Sequence, residues 1–262
     1  AMTDLHIYAQ REGYRDTEWE RDGKAYGWGN NRGLVLMKSF DLIHWTRTNI
    51  RFDQMSKEFA QIGCAWAPEI VYDPATGRMM IYFTMRFGNE QNRLYYVYVN
   101  QDFNRIESIP QILFEYPSGA SAIDGDITPI WNEERQKMEY HLFYVAHESG
   151  SGIKQAVSDR IDGSYRFDPR WIDFEPVACE APNVWKRIGE NKWVLMYDIF
   201  GINPHNFGFV ETCDFVHFKN LGRFNEGIMK TTNFRSPKHG AVIHLTKEEA
   251  DRIEDYWNNQ KH

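Results

Sequence analysis

The chain has 262 residues and a formal net charge of −7, and 42% of its residues are hydrophobic and 15% aromatic. This length is compatible with one large domain or two small ones, and all-β barrels and propellers commonly reach it as a single unit. The acidic balance offers no basic surface to a phosphate backbone, so we exclude nucleic acid as a partner.

Cysteine spacing and hydropathy exclude two further classes. Cys64, Cys179 and Cys213 form neither a CxxC pair nor a Cys/His motif, so we predict no structural zinc site. No run of about 18 apolar residues occurs and the first residues lack a signal-peptide pattern, so we expect no membrane partner. The high aromatic share is typical of strands, and equally of sugar-binding clefts that use Trp and Tyr faces.

The first part of the chain predicts a loop, a turn and then a strand. Residues 1–33 mix charges with glycines, a strand is predicted over 34–39, and Asp41 follows it. An aspartate at the end of a strand recurs in steps of about 55 to 61 residues, at Asp102, Asp159 and Asp214. A period of this length indicates repeated supersecondary units.

A second series marks the first strand of each unit. Each member begins with a polar or aromatic residue, has a proline within a few positions, and continues with alternating apolar residues. The members are Trp66–Asp73, Asp124–Trp131 and Cys179–Lys186. Trp66, Asp124 and Glu180 are separated by steps of about 57 residues. Glu180 is the most informative of them, because it is a lone carboxylate at the start of an apolar strand.

Two more strands follow within each unit. Aromatic-rich strands after turn signals are predicted at 79–84, 139–145 and 192–197, and further strands at 93–99 and 152–157. A unit of about 57 residues therefore holds four antiparallel strands, which is the plan of a propeller blade.

We therefore predict an all-β, five-bladed β-propeller that forms a single catalytic domain over residues 1–262. Blade I is partial (1–50) and lacks its N-terminal strands, blades II to IV span about 64–219, and blade V is partial (235–245). A short C-terminal helix is predicted over 246–258, because Thr246-Lys247-Glu248-Glu249 is a capping box.

Five short motifs occur in the order and at the spacing found in one enzyme family. They are Ser39–Trp45, Trp66–Glu69, Ala122–Asp126, Glu180–Pro182 and Pro237–Gly240. Together they resemble glycoside hydrolase family 43, the five-bladed β-propeller arabinofuranosidases, xylosidases and arabinanases. The similarity extends from Tyr26 to the C-terminal helix.

The resemblance implies an inverting, exo-acting glycosidase that removes terminal pentose from plant polysaccharide or oligosaccharide, with α-L-arabinofuranose as the first choice of sugar. Glu180 matches the general acid of the family, whose pKa must be raised toward neutrality. Asp124 matches the carboxylate that tunes and orients this acid. Asp126 is expected on the same strand face and is the alternative for that role.

Substrate contacts are also implied by the resemblance. Trp66 either stacks on the sugar ring or packs between blades, and His239 matches a position near the central channel, sometimes beside a cation or water. We assign Trp66, His239 and Asp126 to substrate binding. No metal ligand is assigned and no cofactor is required, and a structural calcium or sodium ion stays open as an alternative.

No residue matches the general base of the family, which is the aspartate of an Arg-Asp-Pro motif on the first inner strand. Arg15-Asp16-Thr17 lacks the proline and the apolar strand, so we interpret Asp16 as a solvated loop charge. The missing strands have three explanations: a fragment or processed chain, a second chain or segment that completes the propeller, or a degenerate relative. We favour an incomplete copy of an enzyme.

Other functions are compatible with the same residues. The alternatives are a β-xylosidase or galactosidase of the same family, and a carbohydrate-binding propeller without turnover. A WD40-like platform is disfavoured, because Gly-His and Trp-Asp signatures do not recur in each unit. Carbohydrate is the expected partner, and the resemblance implies a secreted or periplasmic location.

Overall fold

The computed structural model describes residues 1–3, 20–21, 24–25, 31–230 and 235–260. Within these ranges the regular secondary structure is mainly β-strand, with one α-helix near the C-terminal end and short 3-10 helices at Phe52–Gln54, Glu58–Gln61 and Phe224–Glu226. Sheet I has three strands in the order β1-β4-β5, namely β1 (Met2–Thr3), β4 (Gly33–Lys38) and β5 (Thr46–Arg51). A short hairpin lies between β1 and β4 in the chain, formed by β2 (Glu20–Arg21) and β3 (Lys24–Ala25).

Three four-stranded sheets follow, each an antiparallel meander in chain order. Sheet II contains β6 (Ile62–Asp73), β7 (Arg78–Phe87), β8 (Arg93–Val99) and β9 (Gln111–Phe114). Sheet III contains β10 (Ala122–Asn132), β11 (Lys137–Ala146), β12 (Gly152–Ser158) and β13 (Arg166–Asp168). Sheet IV contains β14 (Glu180–Lys186), β15 (Trp193–Ile199), β16 (Asn206–Thr212) and β17 (Lys219–Arg223). This is the strand plan of a propeller blade, as predicted for these three units.

The sheets pack face to face because their middle strands are apolar on both sides. Side chains alternate along a strand, so neighbouring residues face opposite sheets. In β11, Leu142 and Tyr144 pack into the core shared with sheet II, whereas Phe143 and Val145 pack into the core shared with sheet IV. The strand is therefore buried on both faces, and its sequence is a continuous apolar run.

The aspartate turns show how sheet I corresponds to the others. The carboxylate oxygen Oδ1 of Asp41 accepts backbone hydrogen bonds from Ile43 at 2.9 Å and His44 at 2.8 Å. Asp214 Oδ1 accepts the equivalent hydrogen bonds from the Val216 N–H at 2.9 Å and the His217 N–H at 2.8 Å. Asp214 follows β16, the third strand of its sheet, so β4 is also a third strand and β1 a second one. Among the described residues, sheet I has no counterpart of β6, β10 and β14, the inner strands.

The C-terminal helix, α1 (Lys247–Asn259), begins one residue later than predicted and after the predicted cap. Thr246 Oγ1 accepts a hydrogen bond from the Glu249 N–H, and the Glu249 carboxylate accepts one from the Thr246 N–H. In the parts of the chain that the structure describes, no helix is long and apolar enough to cross a membrane.

The segment 235–245 is not the strand that its sequence predicts. It carries no ladder pairing in the structure. The reason is that no described strand follows it to form a hairpin with it. The segment is held instead by side-chain contacts, such as the hydrogen bond of 2.8 Å from the Val242 N–H to Asn183 Oδ1 of β14.

Candidate active site

Each inner strand is interrupted near its beginning by a β-bulge, and the candidate site lies where these bulges meet. The pairing register shifts between Trp66 and Glu69 in β6, between Ile123 and Asp126 in β10, and between Glu180 and Asn183 in β14. A bulge bends its strand and redirects a side chain, and bulges are frequent next to active sites.

One residue inside each bulge has a positive φ angle. The values are 43° for Ala67, 52° for Asp124 and 51° for Ala181. His239 has a φ of 47° at the corresponding place of the C-terminal segment. Residues other than glycine seldom adopt this conformation, and it is concentrated at functional sites. The backbone therefore has the same left-handed conformation at four equivalent positions of the repeat. Two of these positions carry polar side chains, Asp124 and His239.

Glu180, Asp124 and His239 come together at these bulges. One carboxylate oxygen or ring nitrogen from each of them lies within 4.8 Å of the other two. His239 Nε2 is 2.9 Å from Glu180 Oε1. Asp124 Oδ2 accepts a hydrogen bond of 3.3 Å from the Ala181 N–H. Three of the residues that the sequence predicted for the site therefore form one cluster.

Lys238 and Asp198 belong to the same cluster, and sequence reasoning missed both. Lys238 Nζ contacts Glu180 Oε1 and lies 3.3 Å from Asp198 Oδ2. The same oxygen of Asp198 accepts a hydrogen bond of 3.2 Å from the His239 N–H. Asp198 is fully buried and lies opposite Glu180 in the strand register. Its signal in the sequence was a carboxylate inside the apolar run of β15.

Glu180 is ionised in this arrangement. Burial alone would raise the pKa of Glu180, but the hydrogen bonds and positive charges of His239 and Lys238 outweigh burial and lower this pKa to about 2. Burial would lower the pKa of His239, yet its contact with Glu180 and the charge of Asp124 raise it on balance. The raised pKa of His239 favours its protonated form, in which it pairs with the Glu180 carboxylate at 2.9 Å. The lowered pKa of Glu180 is opposite to the raised pKa that a general acid requires.

Asp124 has the opposite electrostatic character. Its residue is only 7% exposed, and burial raises the pKa of its carboxyl to about 6, with the His239 charge opposing this rise and the Glu180 charge adding to it. The Asp124 N–H donates a hydrogen bond of 3.0 Å to Thr84 Oγ1, which fixes the bulge against sheet II. Near neutral pH, this cluster therefore holds a proton on Asp124 more readily than on Glu180.

Asp126 lies outside this cluster of Asp124, Glu180 and His239. The bulge adds one residue between Ile123 and Asp126, and the carboxylates of Asp124 and Asp126 both accept hydrogen bonds from backbone N–H groups of β14. Asp126 Oδ2 accepts hydrogen bonds from Asn183 Nδ2 and the Val184 N–H, each at 2.9 Å, and thereby fastens β10 to β14. Burial raises its pKa to about 7. Its assignment to substrate binding stays a prediction.

Trp66 occupies in its bulge the position that Glu180 occupies in β14. Its ring is partly buried, and the guanidinium carbon of Arg86 lies 5.1 Å from the ring centroid. The indole Nε1 is buried, and none of the described residues accepts a hydrogen bond from it. Stacking of this ring on a sugar stays a prediction. Asp16 lies outside the described residues, so its interpretation as a loop charge also stays a prediction.

The cluster fits a calcium ion poorly. Asp124, Glu180 and His239 are the one group in the described ranges whose ligand atoms lie close enough together to hold a metal ion. Calcium takes roughly six to eight oxygen ligands. This group offers two carboxylates and one imidazole, and the Lys238 ammonium already neutralises Glu180. A structural calcium or sodium ion at this cluster stays a prediction.

The sequence matches known proteins at the level of the family. Residues 1–251 match a family model of the group related to glycoside hydrolase family 43, which is described as a probable glycosyl hydrolase domain. A search of curated proteins found no match.

Solved structures share the fold. A thermostable family-43 glycoside hydrolase has a TM-score of 0.54 and 17% identity over 75% of this chain and 66% of that chain. An α-L-arabinofuranosidase from Lactobacillus brevis has a TM-score of 0.53 and 18% identity over 72% of this chain and 65% of that chain. An arabinanase from Bacillus subtilis has a TM-score of 0.54 and 18% identity over 73% of this chain and 67% of that chain. The chain thus spans about two thirds of the length of each, and at these identities the likeness concerns the fold alone.

Proposed function

Because the chain belongs to the glycosyl hydrolase domains related to glycoside hydrolase family 43, we propose that it hydrolyses a terminal glycosidic bond with inversion of configuration. One observation carries this proposal. Glu180 and Asp124, from neighbouring inner strands, bring carboxylate oxygens within 4.8 Å of each other at the centre of the bulges. Glu180 is the proposed general acid, and Asp124 is the proposed neighbour that orients it and adjusts its pKa.

The ring around this centre is proposed to have five blades. Sheets II to IV and the segment at Lys238 and His239 supply four inner positions at intervals of about 57 residues. Tyr256 of α1 contacts His44 after β4, with ring centroids 5.9 Å apart, so the C-terminal end returns to sheet I. The fifth inner position belongs to sheet I. The strand for it would come from residues outside the described ranges or from a second chain.

The reaction requires Lys238 to leave Glu180 first. When a glycosidic oxygen approaches Glu180 Oε1, Lys238 can keep its contact with Asp198, and Glu180 loses a group that lowers its pKa. The negative charge of Asp124 then favours the protonated form of Glu180. Glu180 donates its proton to the leaving oxygen as the bond to the anomeric carbon breaks. Water adds to that carbon from the opposite face.

A third carboxylate must take a proton from that water. In inverting enzymes the acid and the base are about 6.5–9.5 Å apart, which leaves room for the water. The oxygens of Asp124 and Glu180 lie within 4.8 Å and are too close for this arrangement. Asp124 is therefore not the proposed base. We place the base on the inner strand of sheet I, which the described residues do not include.

The proposed substrate is a terminal α-L-arabinofuranosyl group of a plant polysaccharide or oligosaccharide, with β-xylose and galactose as alternatives. Two of the similar solved structures are an α-L-arabinofuranosidase and an arabinanase, which supports this order of choice. Such polymers lie outside cells, so a secreted or periplasmic location is proposed with the substrate.

A second candidate function is carbohydrate binding without hydrolysis. The observation that favours it is the lowered pKa of Glu180, about 2, which leaves this carboxylate without a proton to donate near neutral pH. The contact with Lys238 would then be a permanent part of a sugar-binding site.

Hydrolysis of 4-nitrophenyl α-L-arabinofuranoside, β-D-xyloside and β-D-galactoside tests the proposal. Release of nitrophenol by the native protein and its loss in Glu180→Ala support a hydrolase. Proton NMR of the first sugar released distinguishes inversion from retention. Binding of the sugars without any release supports the second candidate.

A further inference from the structure

A second cleft lies between sheets III and IV, at the opposite end of the inner strands. Its volume is about 730 Å³, and its walls are the ends of β10 and β14, the starts of β11 and β15, and the loop after β16. Asp124 lies near the start of β10 and Trp131 near its end, which corresponds to about 20 Å along a strand. The cleft is therefore separate from the cluster at Glu180.

Tryptophan side chains form much of the wall of this cleft. Trp131, Trp185 and Trp193 all line it. Trp131 is 48% exposed, and the other two are partly buried. The indole of Trp131 is fixed by a hydrogen bond of 3.2 Å from Nε1 to Glu133. Its face is thus available to a ligand with a flat apolar surface, such as the C–H face of a sugar ring.

His141 provides a hydrogen-bond donor in the same cleft. Its side chain is 9% exposed. The Gln155 amide lies 3.2 Å from Nδ1 and donates to it, and burial lowers the pKa of His141 to about 4, so the neutral ring carries its proton on Nε2. Nε2 has no hydrogen-bond acceptor among the described residues, and Glu139 Oε2 lies 4.0 Å away. Nε2 is not among the buried side-chain atoms of the described residues that lack a hydrogen-bond partner, so it is open to the cleft, where a ligand oxygen can accept its hydrogen bond.

The charges of the lining favour a neutral ligand. Lys186 is the one lysine or arginine among the lining residues, and its Nζ lies 5.0 Å from the Trp193 ring centroid. Three carboxylates also line the cleft, those of Glu133, Glu139 and Asp214, and they oppose the binding of an anion. Glu139 accepts hydrogen bonds from Asn132 and Arg135, so it is already neutralised and does not call for a cation.

We propose that this cleft is a second carbohydrate-binding site, which holds a neutral segment of a polysaccharide away from the Glu180 cluster. A sugar ring stacks on Trp131, and one of its oxygens accepts the hydrogen bond from His141 Nε2. Indole faces with a few fixed polar groups are the composition of a small-ligand site. The inference rests on the proposed function only for the choice of polymers to be tested.

Affinity electrophoresis of the intact protein tests the site, with native gels that contain linear arabinan, arabinoxylan or galactan. We expect at least one polymer to retard the native protein. Trp131→Ala should weaken this binding by about tenfold or more, because truncation of a buried aromatic contact has effects of this size. Trp45→Ala is the matched control, since Trp45 is also 48% exposed but lies outside the cleft. It should bind as the native protein does.

His141→Phe is the second variant. It keeps a ring beside Phe215, where the centroids are now 4.5 Å apart, but it removes the donor at Nε2. It should keep the native melting temperature and bind the polymer more weakly. Turnover of nitrophenyl glycosides, which occupy the Glu180 cluster alone, should be unchanged in both cleft variants.

Two results would overturn the inference: no polymer retards the native protein, or Trp131→Ala migrates as the native protein does. Retardation that depends on Trp131, without hydrolysis of any glycoside, would support the cleft and contradict the proposed hydrolase. The two proposals therefore fail separately.

Discussion

Lys238 contacts the same carboxylate oxygen of Glu180 that lies 2.9 Å from His239 Nε2. Exposed ion pairs contribute little, because water screens them. The Glu180 side chain is only 17% exposed, so this pair is partly desolvated and its charges interact more strongly. The contact determines the protonation state from which any reaction at this centre must begin.

Lys238→Met should raise the pKa of Glu180 from about 2 toward its usual value of 4.5, because one of the two groups that oppose the effect of burial is removed. A carbon-13 NMR titration of protein labelled at glutamate carboxyls measures this directly. Lys247→Met is the control, because Lys247 pairs with Asp251 on α1 and should leave Glu180 unchanged. An unchanged titration of Glu180 in Lys238→Met would contradict the role assigned to Lys238.

The same variant should also change acid stability. A lowered carboxyl pKa contributes stability above its value in the unfolded chain, and this contribution is lost as the pH falls through the folded pKa. For Glu180 that range is from 4.5 to about 2. The free energy of unfolding of Lys238→Met should therefore fall less steeply than that of the native protein in this range, as measured by urea denaturation.

Glu180→Gln should affect substrates according to their leaving groups. An arabino-oligosaccharide needs a proton on its leaving oxygen, so its kcat/KM should fall by about 10²–10⁴-fold. A 2,4-dinitrophenyl arabinofuranoside has a leaving group that departs as the anion, and its kcat/KM should fall far less. Equal losses for the two substrates would show that Glu180 does not act as the general acid.

Asp126→Asn should make stability less dependent on pH. The pKa of Asp126 is raised from 3.8 to about 7, so its contribution to stability is present below 3.8 and is lost as the pH rises through about 7. An asparagine oxygen can accept the same hydrogen bonds from Asn183 and Val184 without a buried charge. Between pH 4 and pH 8 the variant should lose on the order of 1 to 3 kcal/mol less stability than the native protein.

Urea denaturation at pH 4, 6 and 8 measures this difference. Asp102→Asn is the control, because Asp102 is an exposed residue of a turn. The native protein and the control should show the same dependence on pH, and Asp126→Asn should be the most stable of the three at pH 8. A native-like dependence in Asp126→Asn would mean that Asp126 is ionised at little cost.

The repeat period predicted the strand plan of sheets II to IV. The aromatic-rich runs at 79–84 and 139–145 lie in β7 and β11, and the run at 192–197 begins one residue before β15. These strands are buried on both faces, and a continuous apolar run is typical of such strands. Glu180 and Asp124 were found for a related reason, since both are carboxylates close to the start of an inner strand.

The bulges and the contacts between distant segments could not be predicted in this way. The extra residue between Ile123 and Asp126 arises from pairing with β11, and period-two alternation does not anticipate it. The contact of Lys238 with Glu180 and Asp198 joins segments that are far apart in the chain. Segment 235–245 has the pattern of a strand, but a strand forms only beside a partner.

Phe83 tests whether sheet I belongs to the same cooperative unit as sheet II. Phe83 is fully buried and stacks on Phe52, which follows sheet I, with ring centroids 4.8 Å apart and an interplanar angle of 13°. Phe83→Ala removes a ring from this interface and should cost about 3–5 kcal/mol of unfolding free energy. Phe40→Ala, at a side chain that is 90% exposed, should change stability by less than about 0.5 kcal/mol.

Urea denaturation followed by tryptophan fluorescence and by far-ultraviolet circular dichroism measures both variants. If sheets I to IV unfold together, the two signals give one coincident transition that moves to lower urea in Phe83→Ala. A separate early transition, which alone responds to Phe83→Ala, would mean that sheet I unfolds independently. The prediction of a single domain over the whole chain would then be wrong.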